Sequence, residues 1–286
     1  MENILEIKNL CKEYDGFSLN NIHLELPKGV IMGFIGENGA GKTTTIKSIL
    51  NLLNNTSGEI KVFGKDNKKY EKQIKEDIGV VLDDSFFAEV LTPKDIDKIM
   101  KNLYQNWDEK VYFQYLEDFK LPKDKSIKEL SSGMKMKLKL ACALSHHAKL
   151  LILDEPTSGL DPIARSEILD IFQDFIQEET HSILVSSHIT SDLEHIADYI
   201  TFINHGEIIF TKTKDELLET YGIARCTEDE FQKIDKNDFI KFKKNKYEYD
   251  VLVDDKNAFK KKYEIGMIDK PTIEDIMLIY IKGEEK

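Results

Sequence analysis

GVIMGFIGENGAGKTTTIKSIL, residues 29–50, is the stretch that decides the fold. An apolar run, GVIMGFI at 29–35, leads into GENGAGKT at 36–43, which matches G-x-x-x-x-G-K-[ST] and runs on into the helical pattern TTTIKSILNLL. That motif denotes a phosphate-binding loop only when a strand precedes it and a helix follows, which is its setting here. The glycines let the backbone wrap an anion, so that N–H groups of Gly36, Glu37, Asn38, Gly39, Ala40, Gly41, Thr43 and Thr44, with the positive end of the helix, face the negative charge. Lys42 is expected to reach the β- and γ-phosphates of a nucleotide, and the Thr43 hydroxyl to hold Mg²⁺.

A second element, LLILDEP at 150–156, is an apolar strand ending in two carboxylates. Asp154 at the strand end suits the shell of a Mg²⁺ ion; Glu155, one residue on, points elsewhere and can polarise an attacking water as general base. Strand-like runs recur at 5–7, 30–35, 60–63, 78–82, 150–153, 183–186, 200–203 and 208–210, with helical patterns between several of them. This layout predicts a mainly parallel α/β sheet. Between about 93 and 148 helical periodicity takes over, in PKDIDKIMKNLYQNW and DEKVYFQYLEDFK, and reads as a helical subdomain inserted into the sheet domain. Beyond about 213 the composition turns charged and Lys-rich. YEYDVLV then alternates at period two, and Thr272-x-x-Asp275 behind Pro271 forms a capping box for a last helix. The division expected is 1–212 for the nucleotide-binding domain and 213–286 for a small α+β accessory domain.

Composition bounds the rest. A chain of 286 residues with 41% hydrophobic content can bury a full α/β core. A net charge of −12 argues against a general nucleic-acid binder, which needs basic surface to neutralise phosphates. Cys11, Cys142 and Cys226 are far apart and unpaired in spacing, as expected of small buried hydrophobes in a reducing interior. No stretch approaches the roughly 18 apolar residues of a membrane-spanning helix, and MENILEIKNL lacks a signal-peptide pattern, so a cytoplasmic chain is expected. Trp107 is expected to anchor the core of the helical insert.

Read in order, Tyr14, GENGAGKT, LSSGM at 130–134, DEP at 154–156, SGLD at 158–161 and SSHI at 186–189 resemble the ATPase subunit of ATP-binding cassette (ABC) transporters over about residues 3–225. The resemblance implies a RecA-like P-loop NTPase core with an antiparallel β subdomain and a helical subdomain, working with ATP and Mg²⁺. It also implies roles for single residues. Tyr14 would stack on adenine, Asp161 would lie in the loop that crosses a dimer interface, and His188 would be the switch histidine at the γ-phosphate. Ser131 and the Gly133 N–H would dock on the γ-phosphate held by a second subunit, so that each chain owns half of two sites.

The pattern departs from the family's in three places. Asp83 falls where the family carries a metal-binding glutamine, Ser132 where it carries a glycine, and Met134 where it carries a glutamine. SSGMKMKL and YQNWD at 104–108 resemble Gram-positive exporter ATPases that partner ABC-2-type permeases and handle antibiotics, lipids or amphipathic peptides, the phenol-soluble-modulin exporters among them. The expected partners are a second cassette and an integral-membrane permease, and the expected location is the cytoplasmic face of the membrane. The altered Asp83 and Ser132 leave open a regulatory or resistance cassette that hydrolyses weakly; a soluble cassette acting on nucleic acid or ribosomes is disfavoured by the acidic charge and the single GKT.

Overall fold

The computed structural model describes residues 2–82, 87–263 and 266–284. Two long strands, β1 (Asn3–Tyr14) and β2 (Phe17–Pro27), open the chain as an antiparallel hairpin and are followed by β3 (Ile31–Ile35) and α1 (Lys42–Ile49). Then come β4 (Ser57–Val62), β5 (Lys65–Asp66), α2 (Glu71–Glu76) and β6 (Ile78–Val81). Three helices, α3 (Pro93–Leu103), α4 (Glu109–Asp118) and α5 (Ser132–Leu144), separate β6 from β7 (Leu150–Asp154). After them run α6 (Pro162–Phe175), β8 (Ser182–Ser187), α7 (Thr190–Ile196), β9 (Tyr199–Asn204) and β10 (Glu207–Thr213). The last part holds β11 (Gly222–Cys226), α8 (Glu228–Phe231), β12 (Lys241–Lys244), β13 (Tyr249–Val253), α9 (Lys256–Lys262), β14 (Met267–Asp269) and α10 (Ile273–Lys282).

Six strands in the order β10-β9-β3-β8-β7-β6 form the central sheet, parallel except for β10 at its edge. Strands β3, β7 and β8 are buried at every position, as the apolar runs IMGFI, LLIL and ILV require of a sheet covered on both faces. The second sheet, β2-β1-β4-β5, is antiparallel and packs its Leu5, Ile7, Leu19, Ile22, Leu24 and Ile60 against one face of the first. Sequence periodicity did not expose β2. Asn9 and Asn21 take left-handed φ values of 52° and 51°, and register shifts at the same places break the alternation by which a strand is recognised.

The helical insert has its own core of Ile96, Met100, Tyr112, Leu116, Leu130 and Leu138. Trp107 packs against this core and donates its indole N–H to Asp97 at 2.9 Å, in line with the anchor expected. His146 is a buried joint: its two ring nitrogens lie 3.2 Å from the Cys142 carbonyl and 3.0 Å from the Ile78 carbonyl, which ties α5 to β6. Burial pushes its imidazole below the ordinary value, against the two carbonyls that favour the protonated form. Cys142 and Cys226 are buried, whereas Cys11 is half-buried and its thiol accepts the Asn21 N–H.

The last part has the chain order β11-α8-β12-β13-α9-β14 and the spatial order β12-β13-β11-β14, all antiparallel, which is the ferredoxin-like arrangement. One sheet face is covered by α8 and α9 through Phe231 and Phe259. From the other face, Ile223 and Leu252 join the core of the central sheet together with Ile273, Ile276 and Ile279 of α10. The capping box of α10 forms as its sequence predicts, between Thr272 and Asp275. In addition, Glu194 of α7 accepts the Ile273 N–H at 2.6 Å, so α10 is fixed to the helix that follows His188.

Candidate active site

β3 ends at Ile35, and the six residues of the glycine loop carry the chain to Gly41, the N-cap of α1. Gly41 has a φ of 118°, and a Cβ there would sit 2.6 Å from the Leu19 side chain, so only glycine closes this turn. No side chain caps α1, which leaves its first N–H groups free for an anion. The loop lines a cavity of about 530 Å³ together with Phe17, Lys42, Thr43, Thr44 and Glu155.

The polar groups of this cavity form one connected set. Thr43 Oγ1 donates to Asp154 Oδ2 at 2.8 Å, and Ser186 Oγ donates to Asp154 Oδ1 at 2.5 Å. Asp154 is only 2% exposed, so these two hydroxyls are what keeps its carboxylate satisfied. Ser186 belongs to the SSHI run, but the sequence assigns it no partner. Only the parallel pairing of β7 with β8, which sets Asp154 beside Ser186, shows it.

Glu155 turns out of the strand with a φ of 51°, unusual for a residue with a side chain. Its N–H donates to Ser186, at 3.2 Å to the carbonyl and 3.1 Å to the hydroxyl. The turn sends the two neighbouring carboxylates to different partners. Glu155 Oε2 accepts from His188 Nδ1 at 2.6 Å and from the His188 backbone N–H at 3.2 Å, while Oε1 lies 3.4 Å from Lys42 Nζ. Lys42 is buried and also donates to the carbonyls of Gly36 at 2.7 Å and Glu37 at 3.2 Å. An ammonium held inside a loop of N–H groups can bind phosphate, and the carboxylate beside it, with a hydrogen-bonded histidine behind, can take a proton from water.

The remaining candidates lie elsewhere. Tyr14 lines a neighbouring hollow of about 460 Å³ with Phe17 and His205, and Lys12 lies over its ring at 4.9 Å. Phe17 lines both cavities, and the signal for it was its place three residues after Tyr14 in the same hairpin turn. Asp161 caps α6, accepting the N–H groups of Ile163 and Ala164 at 3.0 Å each; these bonds, that of Ala164 foremost, hold its carboxyl below the usual range. Ser131 is the exposed N-cap of α5, accepting the Met134 N–H at 3.3 Å. Neither Ser131 nor Gly133 lines the cavity of this chain's own glycine loop. Gly133 packs on α6 so closely that an added Cβ would sit 2.9 Å from that of Ala164. Asp83 lies outside the described residues.

A cradle for phosphate at the carboxyl end of a parallel sheet, flanked by a carboxylate pair on the next strand but one, defines the P-loop NTPase fold. Residues 19–158 match the ABC transporter family. The chain is 36% identical over 212 residues to the bacitracin transport ATP-binding protein BcrA of Enterococcus faecalis, covering 73% of this chain and 69% of that one. It is 37% identical over 215 residues to the lantibiotic transport ATP-binding protein SrtF of Streptococcus pyogenes, covering 74% and 92%. Among solved structures, cbiO1 from Clostridium perfringens, part of the ABC transporter complex cbiONQ, superposes with a TM-score of 0.66 at 27% identity, covering 76% of this chain and 91% of that one. The chain belongs to the ATP-binding subunits of ABC transporters, and its site is that of an ATPase.

Proposed function

We propose that this chain is the MgATP-hydrolysing subunit of an exporter, paired with a second cassette and driving a separate membrane permease at the cytoplasmic face of the cell membrane. The relatives named for bacitracin and lantibiotic transport favour an antibiotic or amphipathic peptide, or a lipid of similar character, as cargo. Among the described residues no helix is long and apolar enough to cross a membrane. We also propose a nucleotide-binding domain over 1–212, a helical subdomain over 93–148 and an accessory domain over 213–286. The separate core of α3, α4 and α5 and the third sheet support this division.

The observation that carries the reading is Glu155 held between His188 and Lys42. Backbone N–H groups of 36–44 and Lys42 bind the β- and γ-phosphates. A γ-phosphate that takes over the Lys42 ammonium frees Glu155 Oε1, which accepts the proton of the attacking water. His188 Nδ1–H meanwhile orients the carboxylate through Oε2. The oxygen donors Thr43 and Asp154, 2.8 Å apart, fit a hard divalent cation, which takes few protein ligands and completes its shell with phosphate oxygens and water. Mg²⁺, when bound there, neutralises charge developing on the phosphates.

Tyr14 or Phe17 stacks on adenine. Ser131 and the Gly133 N–H serve the γ-phosphate of the second subunit, and Asp161 lies across that interface. Exposure of Ser131, and of Ile163 at 74%, on the unpaired chain supports this reading. Glu155→Gln removes the proton acceptor and keeps the shape, so ATP turnover falls about 10²–10⁴-fold while an ATP-bound dimer accumulates. Unchanged turnover in that variant, measured as phosphate release, rules the assignment out.

A further inference from the structure

Besides Glu155 Oε1 in the site itself, two buried charged atoms near it lack hydrogen-bond partners among the described residues: Arg165 Nε and Asp192 Oδ2. They face each other at 3.9 Å, too far for a hydrogen bond and close enough for strong attraction, with the Asp192 side chain only 7% exposed. Arg165 stands one turn into α6, its N–H bonded to the carbonyl of Asp161 at 3.0 Å. Asp192 stands in the first turn of α7, directly behind His188, whose Nδ1 and N–H both hold Glu155.

α6 also touches α5. Ala164 fills the space beside Gly133, and Lys137 Nζ bonds Glu167 Oε2 at 2.6 Å. One helix therefore contacts the element that begins at Ser131 on one side and the element that follows His188 on the other. Under the function proposed above, on which this inference rests, Ser131 serves the partner's nucleotide and His188 serves this chain's own.

We propose that Arg165 and Asp192 are positioning residues forming a latch that couples the two nucleotide sites. A shift of about 1 Å of α6 toward α7 brings Arg165 Nε–H within reach of Asp192 Oδ2, since such bonds form near 2.9 Å. Engagement of Ser131 and Asp161 by a second copy drives that shift through α6. The closed pair then holds α7, and with it His188, in the position that orients Glu155. Until it closes, Asp192 Oδ2 is shielded from water without a donor, which biases the resting pair toward closure.

The test measures MgATP turnover of the full chain against ATP concentration. Arg165→Met and Asp192→Asn each lower kcat about tenfold with KM changed less than about twofold. The double variant is no slower than the worse single one, and Arg165→Lys keeps most of the rate. In a His188→Ala background Arg165→Met costs nothing further, a result that a merely structural role for Arg165 would not produce. Wild-type rates in both Asp192→Asn and Arg165→Met overturn the latch, and so does a loss that multiplies undiminished onto His188→Ala. Glu155→Gln, run in parallel, separates the two levels. If that variant turns over ATP at the wild-type rate the underlying function is wrong, and if it is slowed about 10²–10⁴-fold while the Arg165 and Asp192 variants are normal only the latch is wrong.

Discussion

Ser186→Ala removes a single oxygen from the interior of the site, and the consequences can be worked through. Asp154 is 2% exposed and its two carboxylate oxygens are held by Thr43 and Ser186, the latter at 2.5 Å. Alanine leaves Oδ1 without its donor and removes one of the two acceptors of the Glu155 N–H, though the Ser186 carbonyl at 3.2 Å remains. A hydrogen bond to a buried charged group contributes about 2 kcal/mol. At about 3 °C per kcal/mol for a chain of this size, the melting midpoint without nucleotide falls by about 6 °C. Calorimetry without Mg²⁺ reads this directly. Added Mg²⁺ restores part of the loss by giving the carboxylate a new partner, and the Mg²⁺ concentration for half-maximal turnover shifts, because Asp154 is no longer held in place. A midpoint within about 1 °C of wild type, with the Mg²⁺ requirement unchanged, would show that Ser186 does not organise Asp154.

Gly133→Ala forces a Cβ to within 2.9 Å of Ala164, so it weakens ATP-dependent dimerisation, and Ala164→Gly in the same chain restores it; size-exclusion chromatography with MgATP on a Glu155→Gln background reads both. Phe17→Ala raises KM for ATP about tenfold and Tyr14→Ala less, because Phe17 lines the cavity of the glycine loop and Tyr14 does not; equal effects, or a larger one for Tyr14, assign the adenine contact to Tyr14 instead. Asp161 has its carboxyl pKa depressed in the fold by N–H donors, so the stability it adds is fully present above its unfolded value of about 3.9 and is lost as pH falls through the lower folded value. The difference in melting midpoint between wild type and Asp161→Ala is therefore constant from about pH 6 to 8 and shrinks toward zero in acid below about pH 4.

The phosphate loop was legible because its chemistry is local. Eight consecutive residues, GENGAGKT, specify the backbone path themselves, and the neighbouring runs announce the strand and helix that hold it. The capping signal of the last helix was legible for the same reason: Thr272 and Asp275 act within one turn. The hairpin partner β2 escaped because the left-handed Asn21 breaks its alternation between Leu19 and Ile22, leaving only Ile22, Leu24 and Leu26 in step. The ferredoxin-like order of the last sheet escaped because strand order is set by packing between distant segments and leaves no mark on any one of them.

What the sequence alone determined was the class of chemistry: a nucleotide cradle, a carboxylate pair after a strand and a histidine at the end of another, in the order of a cassette ATPase. The fold decided who holds whom. Ser186 secures Asp154, Lys42 rests against Glu155, Glu194 grips the last helix, and Arg165 faces Asp192 without reaching it. These pairs join residues 27 to 113 positions apart in sequence, and their geometry exists only once parallel strands and stacked helices bring them together. A hydrogen bond is decided within a few tenths of an ångström, a precision that residue type and spacing along the chain do not carry.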